Sequence, residues 1–284
     1  MEKIALITDS TSDLNDTIIN EYDIKVLPLK IIYKDREYID RVTITPQQVY
    51  DSLSVEVPHT SLPSIHEMND LFSKLEEEGY THAIAICIGS GLSGTYNTLK
   101  LAASEHDKLK ITVFDSKSLT LGAGALVIGC GEMLKQGKCY DEIVNSLPSM
   151  RNKISVYYIV DTLEYLIKGG RIGKVSGTIG KLLNLKPIIS IDPEGVYYTY
   201  TKVRGKNQAK TKLMEIIKDN LTNSKAKIWV MHGGALEEGK KFYESLKDDS
   251  NITSLSFGEI SPVAGVHTGP GLIGVVIVKE PFII

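Results

Sequence analysis

The stretch AIAICIGSGLSGTYNT, residues 83–98, decides the fold. An unbroken apolar run from Ala83 to Ile88 meets a loop that reads Gly-x-Gly-x-x-Gly from Gly89 to Gly94. A strand without polar alternation is buried on both faces, as in a parallel sheet held between two layers of helices. The same alternation continues outward in both directions. Apolar runs at 4–7, 25–32, 83–88 and 111–114 are interleaved with helical periodicities near 13–22, 46–54, 64–78, 95–105 and 122–136. Ser64-Ile65-His66-Glu67 has the S-x-x-E form of a capping box, which marks a helix start. The first half therefore reads as a three-layer α/β domain with a parallel sheet.

The second half has another rhythm. Strand candidates fall at 155–160, 187–191, 196–201, 227–231 and 272–278, and Ile191-Asp192-Pro193-Glu194-Gly195-Val196 between two of them reads as a hairpin with a glycine-containing turn. This predicts a second, smaller mixed-sheet α/β domain, with the boundary near 150–155 and the domains at 1–154 and 155–284. There are no internal repeats or low-complexity tracts.

A chain of 284 residues with 42% hydrophobic and 24% charged residues has the composition of a soluble globular protein. Its three cysteines, Cys87, Cys130 and Cys139, make neither a CxxC pair nor an even set, so neither a disulfide framework nor a zinc site is expected, and a reducing cytoplasm fits. No apolar run approaches the ~18 residues of a spanning helix. Charge is uneven: residues 1–154 hold 15 Lys and Arg against 22 Asp and Glu, residues 155–284 hold 17 against 13. Residues 168–212 carry ten Lys and Arg and only two acids, Asp192 and Glu194. Such a segment suits an anionic partner, or is a solvated basic surface.

Three turns bring hydroxyls to places where a strand ends and a helix starts: Thr8-Asp9-Ser10-Thr11-Ser12-Asp13, Thr60-Ser61-Leu62-Pro63-Ser64 and Ser90-Gly91-Leu92-Ser93-Gly94-Thr95. In an open parallel sheet these lie on the carboxyl edge, where ligands settle. The first serves equally as a turn and helix cap. The third is more specific, because its glycines clear the loop and the next helix offers free N–H groups to an anion. An NAD-dependent oxidoreductase using the Gly89–Gly94 loop is the alternative. Asp115, 21 positions after Gly94, stands where a ribose-binding acid should be. Against it, two strands precede the fingerprint, and Ser93 and Thr95 add polar bulk.

Gly169-Gly170-Arg171-Ile172-Gly173-Lys174-Val175 lacks the spacing and the terminal Ser or Thr of a P-loop, and Gly91-Leu92-Ser93-Gly94 is not a nucleophile elbow. His267 is framed by glycines and reads as a site residue or a structural histidine in a turn; His232 reads as structural. The six histidines show no paired metal spacing, so no metal is expected. Sequence-specific DNA binding lacks a recognition-helix pattern.

Taken together, Thr8 to Asp13, Thr60 to Ser64, Ser90 to Tyr96, Leu166-Ile167-Lys168-Gly169-Gly170-Arg171-Ile172 and His267-Thr268-Gly269-Pro270-Gly271 resemble the DegV family, the fatty-acid-binding proteins of bacterial fatty acid kinase. The resemblance implies a two-domain α/β protein, cytoplasmic and without catalytic turnover, burying one long-chain fatty acid between its domains. A separate ATP-dependent kinase subunit would phosphorylate the carboxyl group, and the acyl phosphate would feed phospholipid synthesis, with transient membrane contact but no insertion. By that resemblance Thr60 and Ser93 bind the carboxylate. Ser61, Ser90, Gly94, Thr95, Arg171, His267 and Thr268 lie near the head group, and Arg171, Arg204 and Lys206 dock the kinase. The chain departs from the family where Leu62 replaces a common Gln and Gly89 an often-found Ser.

Overall fold

The computed structural model describes residues 2–178 and 185–283, the side chain of Thr178 excepted. The first half runs β1 (Ile4–Asp9), a 3-10 turn (Ser10–Ser12), α1 (Asp16–Glu21), β2 (Lys25–Leu27), β3 (Lys30–Ile32), β4 (Glu37–Ile39), α2 (Pro46–Ser52) and β5 (His59–Ser61). It continues with α3 (Ile65–Glu77), β6 (His82–Cys87), α4 (Thr95–Ala103), β7 (Lys110–Asp115), α5 (Leu121–Lys135) and α6 (Tyr140–Arg151). The second half comprises β8 (Ile154–Ile159), α7 (Glu164–Lys168), a 3-10 segment (Gly173–Thr178), β9 (Leu185–Ile191), β10 (Tyr197–Arg204) and α8 (Lys206–Leu221). Then follow β11 (Ala226–Gly233), α9 (Leu236–Glu244), β12 (Ile252–Glu259), α10 (Pro262–Thr268) and β13 (Leu272–Lys279).

The described residues form three sheets. The first is all parallel in the order β2-β1-β6-β7, as the apolar runs predict. The second is mixed, β10-β9-β8-β13-β11-β12, with only β11 and β12 parallel. Expected as part of the smaller unit, it is nonetheless the wider sheet, six strands against four. The third, β4-β3-β5, is a small antiparallel sheet that the sequence did not announce.

Its origin lies at Pro28. The run 25–32 reads as one strand, but proline has no N–H for a ladder. The chain turns there: β2 pairs with β1, Leu29 N donates to Ser10 Oγ at 3.0 Å, and β3 leaves to pair with β5. Thr60 therefore sits inside an antiparallel strand, not on the carboxyl edge of the parallel sheet where the sequence placed it.

α5 packs against β1 and β6 of the parallel sheet and against β8 and β13 of the mixed one. That explains its almost wholly buried surface and why the largest hydrophobic cluster runs through both halves. Close approach is the reason for glycine at 124, where a Cβ would stand 2.5 Å from the Ser12 carbonyl oxygen.

α10 crosses back to the first half, packing on α2, β3 and β5. Ser261 caps it, Pro262 fills its first position, and two carboxylates from the first half take its opening amides. Asp13 Oδ1 accepts from Ser261 N at 2.9 Å, and Asp40 Oδ1 accepts from Val263 N at 2.9 Å. Arg41 Nη2 donates to the same Asp13 oxygen at 2.8 Å. Burial pushes the Asp13 carboxyl up to about 6, against the pull of Arg41, and pushes Asp40 up as well. Removing one partner of such a pair leaves a buried charge uncompensated. Arg41→Met is expected to lower stability at neutral pH by about 3 kcal/mol, and adding Asp13→Asn to recover part of it. Urea denaturation of both variants checks this; equal losses would remove the pair from its proposed role.

Candidate functional site

A cavity of about 190 Å³ opens where the three sheets meet. One side is Thr60, Ser61 and Leu62 at the end of β5; another is Leu92, Ser93 and Gly94 in the loop into α4. Arg171 after α7 and His267 with Thr268 on α10 complete the polar rim, while Leu29, Ile88, Leu119, Tyr197, Val263 and Ala264 make the walls apolar. Leu119, Tyr197, Ala264 and Thr268 also line a second, more apolar chamber of about 30 Å³ reaching from the loop before α5 along the mixed sheet to Val156, Leu272 and Val276. The site is thus polar at one end and greasy at the other.

At the polar end Thr60 Oγ1 and His267 Nε2 lie 2.8 Å apart. His267 occupies the last turn of α10, not a loop. Burial pushes its imidazole down to about 4, helped by the nearby Arg171 charge, so the ring is neutral at neutral pH. Its other nitrogen, Nδ1, has no hydrogen-bond partner among the described residues and packs against Gly169, where a Cβ would come within 2.1 Å. Across the cavity Ser93 Oγ accepts from Thr95 N at 3.3 Å and pairs with Thr95 Oγ1 at 2.9 Å. α4 opens on a Gly94 N-cap without a capping side chain, which leaves the positive end of its dipole to an anion. Arg171 donates to the Gly169 carbonyl at 2.7 Å and the Leu92 carbonyl at 3.3 Å; among the described residues no carboxylate pairs with it.

Of the residues the sequence singles out, Thr60, Ser61, Ser93, Gly94, Arg171, His267 and Thr268 come together on this cavity. Ser61 nevertheless donates to the Leu62 carbonyl. Thr95 is fully buried behind Ser93. Ser90 does not belong to the rim: its hydroxyl donates to Asp115 Oδ2 at 2.6 Å and its amide to Oδ1 at 3.0 Å, alongside the Lys117 amide. This corrects the expectation for Ser90 and speaks against the dinucleotide alternative. The acid that would hold a ribose is occupied by its own loops, and a Cβ at Gly91 would lie 2.6 Å from the Gly195 carbonyl oxygen, so a pyrophosphate has no room there. The turn 8–13 is mostly structural. Asp9 accepts from Ile88 N and from Thr11, and only Thr11 reaches the cavity wall.

Both departures from the family pattern have a place. Leu62 forms cavity wall, and Gly89 lies where a Cβ would meet the Lys117 and Ser118 backbone at 3.0 Å. Sequence reasoning did not find α10 or the carboxylates Asp40 and Asp13 that hold it; Ser261-Pro262, a cap followed by a first-turn proline, was the available signal.

The basic segment is less of a cation field than its composition suggests. Lys168 pairs with Glu164, Lys174 with Asp192, Lys206 with Asp161 and Glu238, Lys210 with Glu238 and Lys212 with Glu215. Lys206, expected to face a partner, is thus held inside the chain. Arg204 is exposed, without a carboxylate partner among the described residues. Lys181 lies outside the described residues.

The His267 shift has a measurable consequence. Its folded value lies below the unfolded one near 6.5, so the unfolded chain takes up the proton first as pH falls. The resulting stability is present above pH 6.5 and lost toward pH 4, up to about 3 kcal/mol. His267→Asn is expected to flatten that part of the pH–stability curve. Denaturant midpoints between pH 7 and 4.5 test it, and a slope unchanged in the variant would count against a buried neutral imidazole.

The family model of DegV, a family of uncharacterised proteins, matches residues 3–280. A DegV domain-containing protein of Clostridium acetobutylicum is 62% identical over 280 residues, covering 99% of this chain and all of the relative. Among solved structures, a fatty acid binding DegV family protein of Streptococcus agalactiae is 33% identical with a TM-score of 0.91, covering 99% of this chain and 100% of that one. A DegV family protein of Thermus thermophilus, also described by its fatty acid binding, is 28% identical with a TM-score of 0.92, covering 98% and 99%. With its sequence matched almost end to end and its three-sheet architecture shared, this chain belongs to the DegV family.

Proposed function

We propose that this protein binds one long-chain fatty acid, with the carboxylate at Thr60 and Ser93 and the alkyl tail in the apolar chambers between the sheets. One observation carries the reading: two hydroxyls, each backed by a further donor, face each other across a cavity that turns apolar behind them. With His267 protonated on Nε2, the ring donates to Thr60 Oγ1 and frees the Thr60 proton for the ligand. With Thr95 donating to Ser93, the Ser93 proton is free in the same way. A carboxylate accepts from both. Arg171 supplies the positive charge that neutral His267 does not. The fatty acid binding of the Streptococcus and Thermus relatives supports the same ligand here.

The energy divides accordingly. Burying ~15 methylenes at ~0.8 kcal/mol each yields roughly 12 kcal/mol gross, reduced by ordering and association costs. The tail sets affinity and the head contacts set register. Nothing in this site needs catalytic turnover by the protein itself. The function that fits is a carrier that presents the carboxyl group to a separate ATP-dependent kinase, which forms the acyl phosphate. Arg171 beside the mouth and exposed Arg204, neither with a carboxylate partner among the described residues, would meet that partner. Lys206 would take part only by giving up its pairs with Asp161 and Glu238.

Mass spectrometry of protein purified from a bacterial host and then denatured is expected to release about one fatty acid per chain; lipid-free protein that takes up no added fatty acid would contradict the proposal. Thr60→Ala combined with Ser93→Ala is expected to cut acyl phosphate formation with added kinase by about tenfold or more, and to cost folding only about 1–2 kcal/mol through the unpaired His267 nitrogen. Unchanged phosphorylation would rule out these hydroxyls as the head-group donors.

A further inference from the structure

Leu119 faces both chambers, and the loop that carries it is held in a costly conformation from its outer side. With Tyr197, Ala264 and Thr268 it borders the passage from the outer cavity to the inner chamber. The inner chamber, at about 30 Å³, has room for about one or two waters, so an alkyl tail enters only if a wall gives way. Most of that wall is fixed. Val156, Tyr158, Tyr197 and Val276 belong to strands of the six-stranded sheet, and Ala264 and Thr268 to α10, which Asp13 and Asp40 grip. What remains is the loop 116–120 between β7 and α5, with Leu119 and Thr120 on its inner side.

Lys117 and Thr120 in this loop have positive φ, 44° and 51°, although neither is glycine. Such angles are costly, above all for a β-branched threonine, and persist only where the surroundings enforce them. Arg151, the last residue of α6, supplies most of that enforcement. Its Nε donates to the Ser116 carbonyl, its Nη2 to the Lys117 carbonyl at 2.8 Å and its Nη1 to the Ile154 carbonyl at 3.0 Å, which ties the loop to the start of β8. Gly89 N adds a bond to the Ser118 carbonyl at 2.7 Å, and Asp115 Oδ1 accepts from Lys117 N at 3.0 Å. Arg151 and Lys117 line a separate groove on the outer side of the loop and border neither ligand chamber.

We infer that Arg151 is a positioning residue for the tail: it latches the loop 116–120 in the conformation that keeps Leu119 across the passage, and the loop swings out as the tail enters. The inference rests on the fatty-acid reading and adds how the inner chamber opens. Entry breaks the Arg151 bonds to the loop and relieves the strain at Lys117 and Thr120. Apparent affinity then scales with the fraction of molecules whose loop is out, so a weaker latch tightens binding. A merely structural role for Arg151 predicts the reverse, since damaged packing weakens a site.

The test uses the full, delipidated chain and radiolabelled palmitate, with uptake followed in time and binding measured at equilibrium. Arg151→Met, which keeps the aliphatic stem and loses the donors, is expected to take up palmitate about fivefold faster and hold it about fivefold tighter, while unfolding at lower urea concentration. Arg151→Lys, with a single nitrogen in place of three, is expected to fall between. Lys117→Gly relieves strain in the latched loop without touching either chamber, and is expected to weaken palmitate about threefold while raising the urea midpoint. Palmitate bound no tighter by folded Arg151→Met than by the wild type overturns the inference. If Arg151→Met does not fold, Lys117→Gly decides alone, and binding as tight as the wild type or tighter overturns it. A wild type that takes up no palmitate refutes the fatty-acid reading, and this inference with it.

Discussion

The amides that open α10 have to be satisfied inside the protein, and the carboxylates that satisfy them, Asp13 and Asp40, come from the far end of the chain. The rest of the site depends on that contact. A seven-residue helix is only ~10 Å long, so fixing its first turn fixes its last. His267 is thereby set against Thr60, 207 positions away. The helix dipole adds favourable potential at both carboxylates, and Arg41 adds a full charge at Asp13. Asp9 ties the β1 turn to the entrance of the glycine loop through Ile88 N. The acids of one turn thus hold both sides of the cavity without touching its contents.

Electrostatics at the mouth is quieter than composition suggests. Acids at 161, 164, 215 and 238 lie outside the basic segment in sequence and beside it in space, and they pair Lys168, Lys206, Lys210 and Lys212. Among the described residues, an anion entering the site meets a guanidinium without a carboxylate partner, neutral hydroxyls and a neutral imidazole. On the proposed carrier reading, neutral donors suit a carboxyl group that reacts with an external phosphoryl donor, since a closed ring of cations would hold the carboxylate too deeply for hand-over.

The parallel sheet was legible because each of its strands is a short apolar run. α3 was legible because its capping box is local, and both halves of that box form: Ser64 accepts from the Glu67 amide, and Glu67 from the Ser64 amide. Pro28 was visible too, but only the pairing of β3 with β5 reveals that it divides two sheets. β12 has a half-exposed edge pattern and was missed, as was α6, whose Pro148 weakens its helical signal. The pairing of Thr60 with His267 and the grip on α10 are contacts of very long sequence separation, which no local pattern encodes. Ser90 misled because a hydroxyl in a glycine loop looks the same whether it faces a ligand or an aspartate of its own chain.

On the proposed reading, selectivity for a fatty acid follows from how the two ends of the cavity divide the work. Apolar area cannot distinguish a carboxylic acid from an alkane of equal length, and two hydroxyls cannot hold a short acid against water. Joined in one slot, they reject both: the alkane leaves the Thr60 and Ser93 hydroxyls without a carboxylate as acceptor, and the short acid leaves the inner chamber empty. Leu62 sharpens that division. On the same reading, an apolar side chain on the rim offers the carboxylate no competing donor, which leaves Thr60 and Ser93 to fix where the chain begins and how far it reaches into the inner chamber.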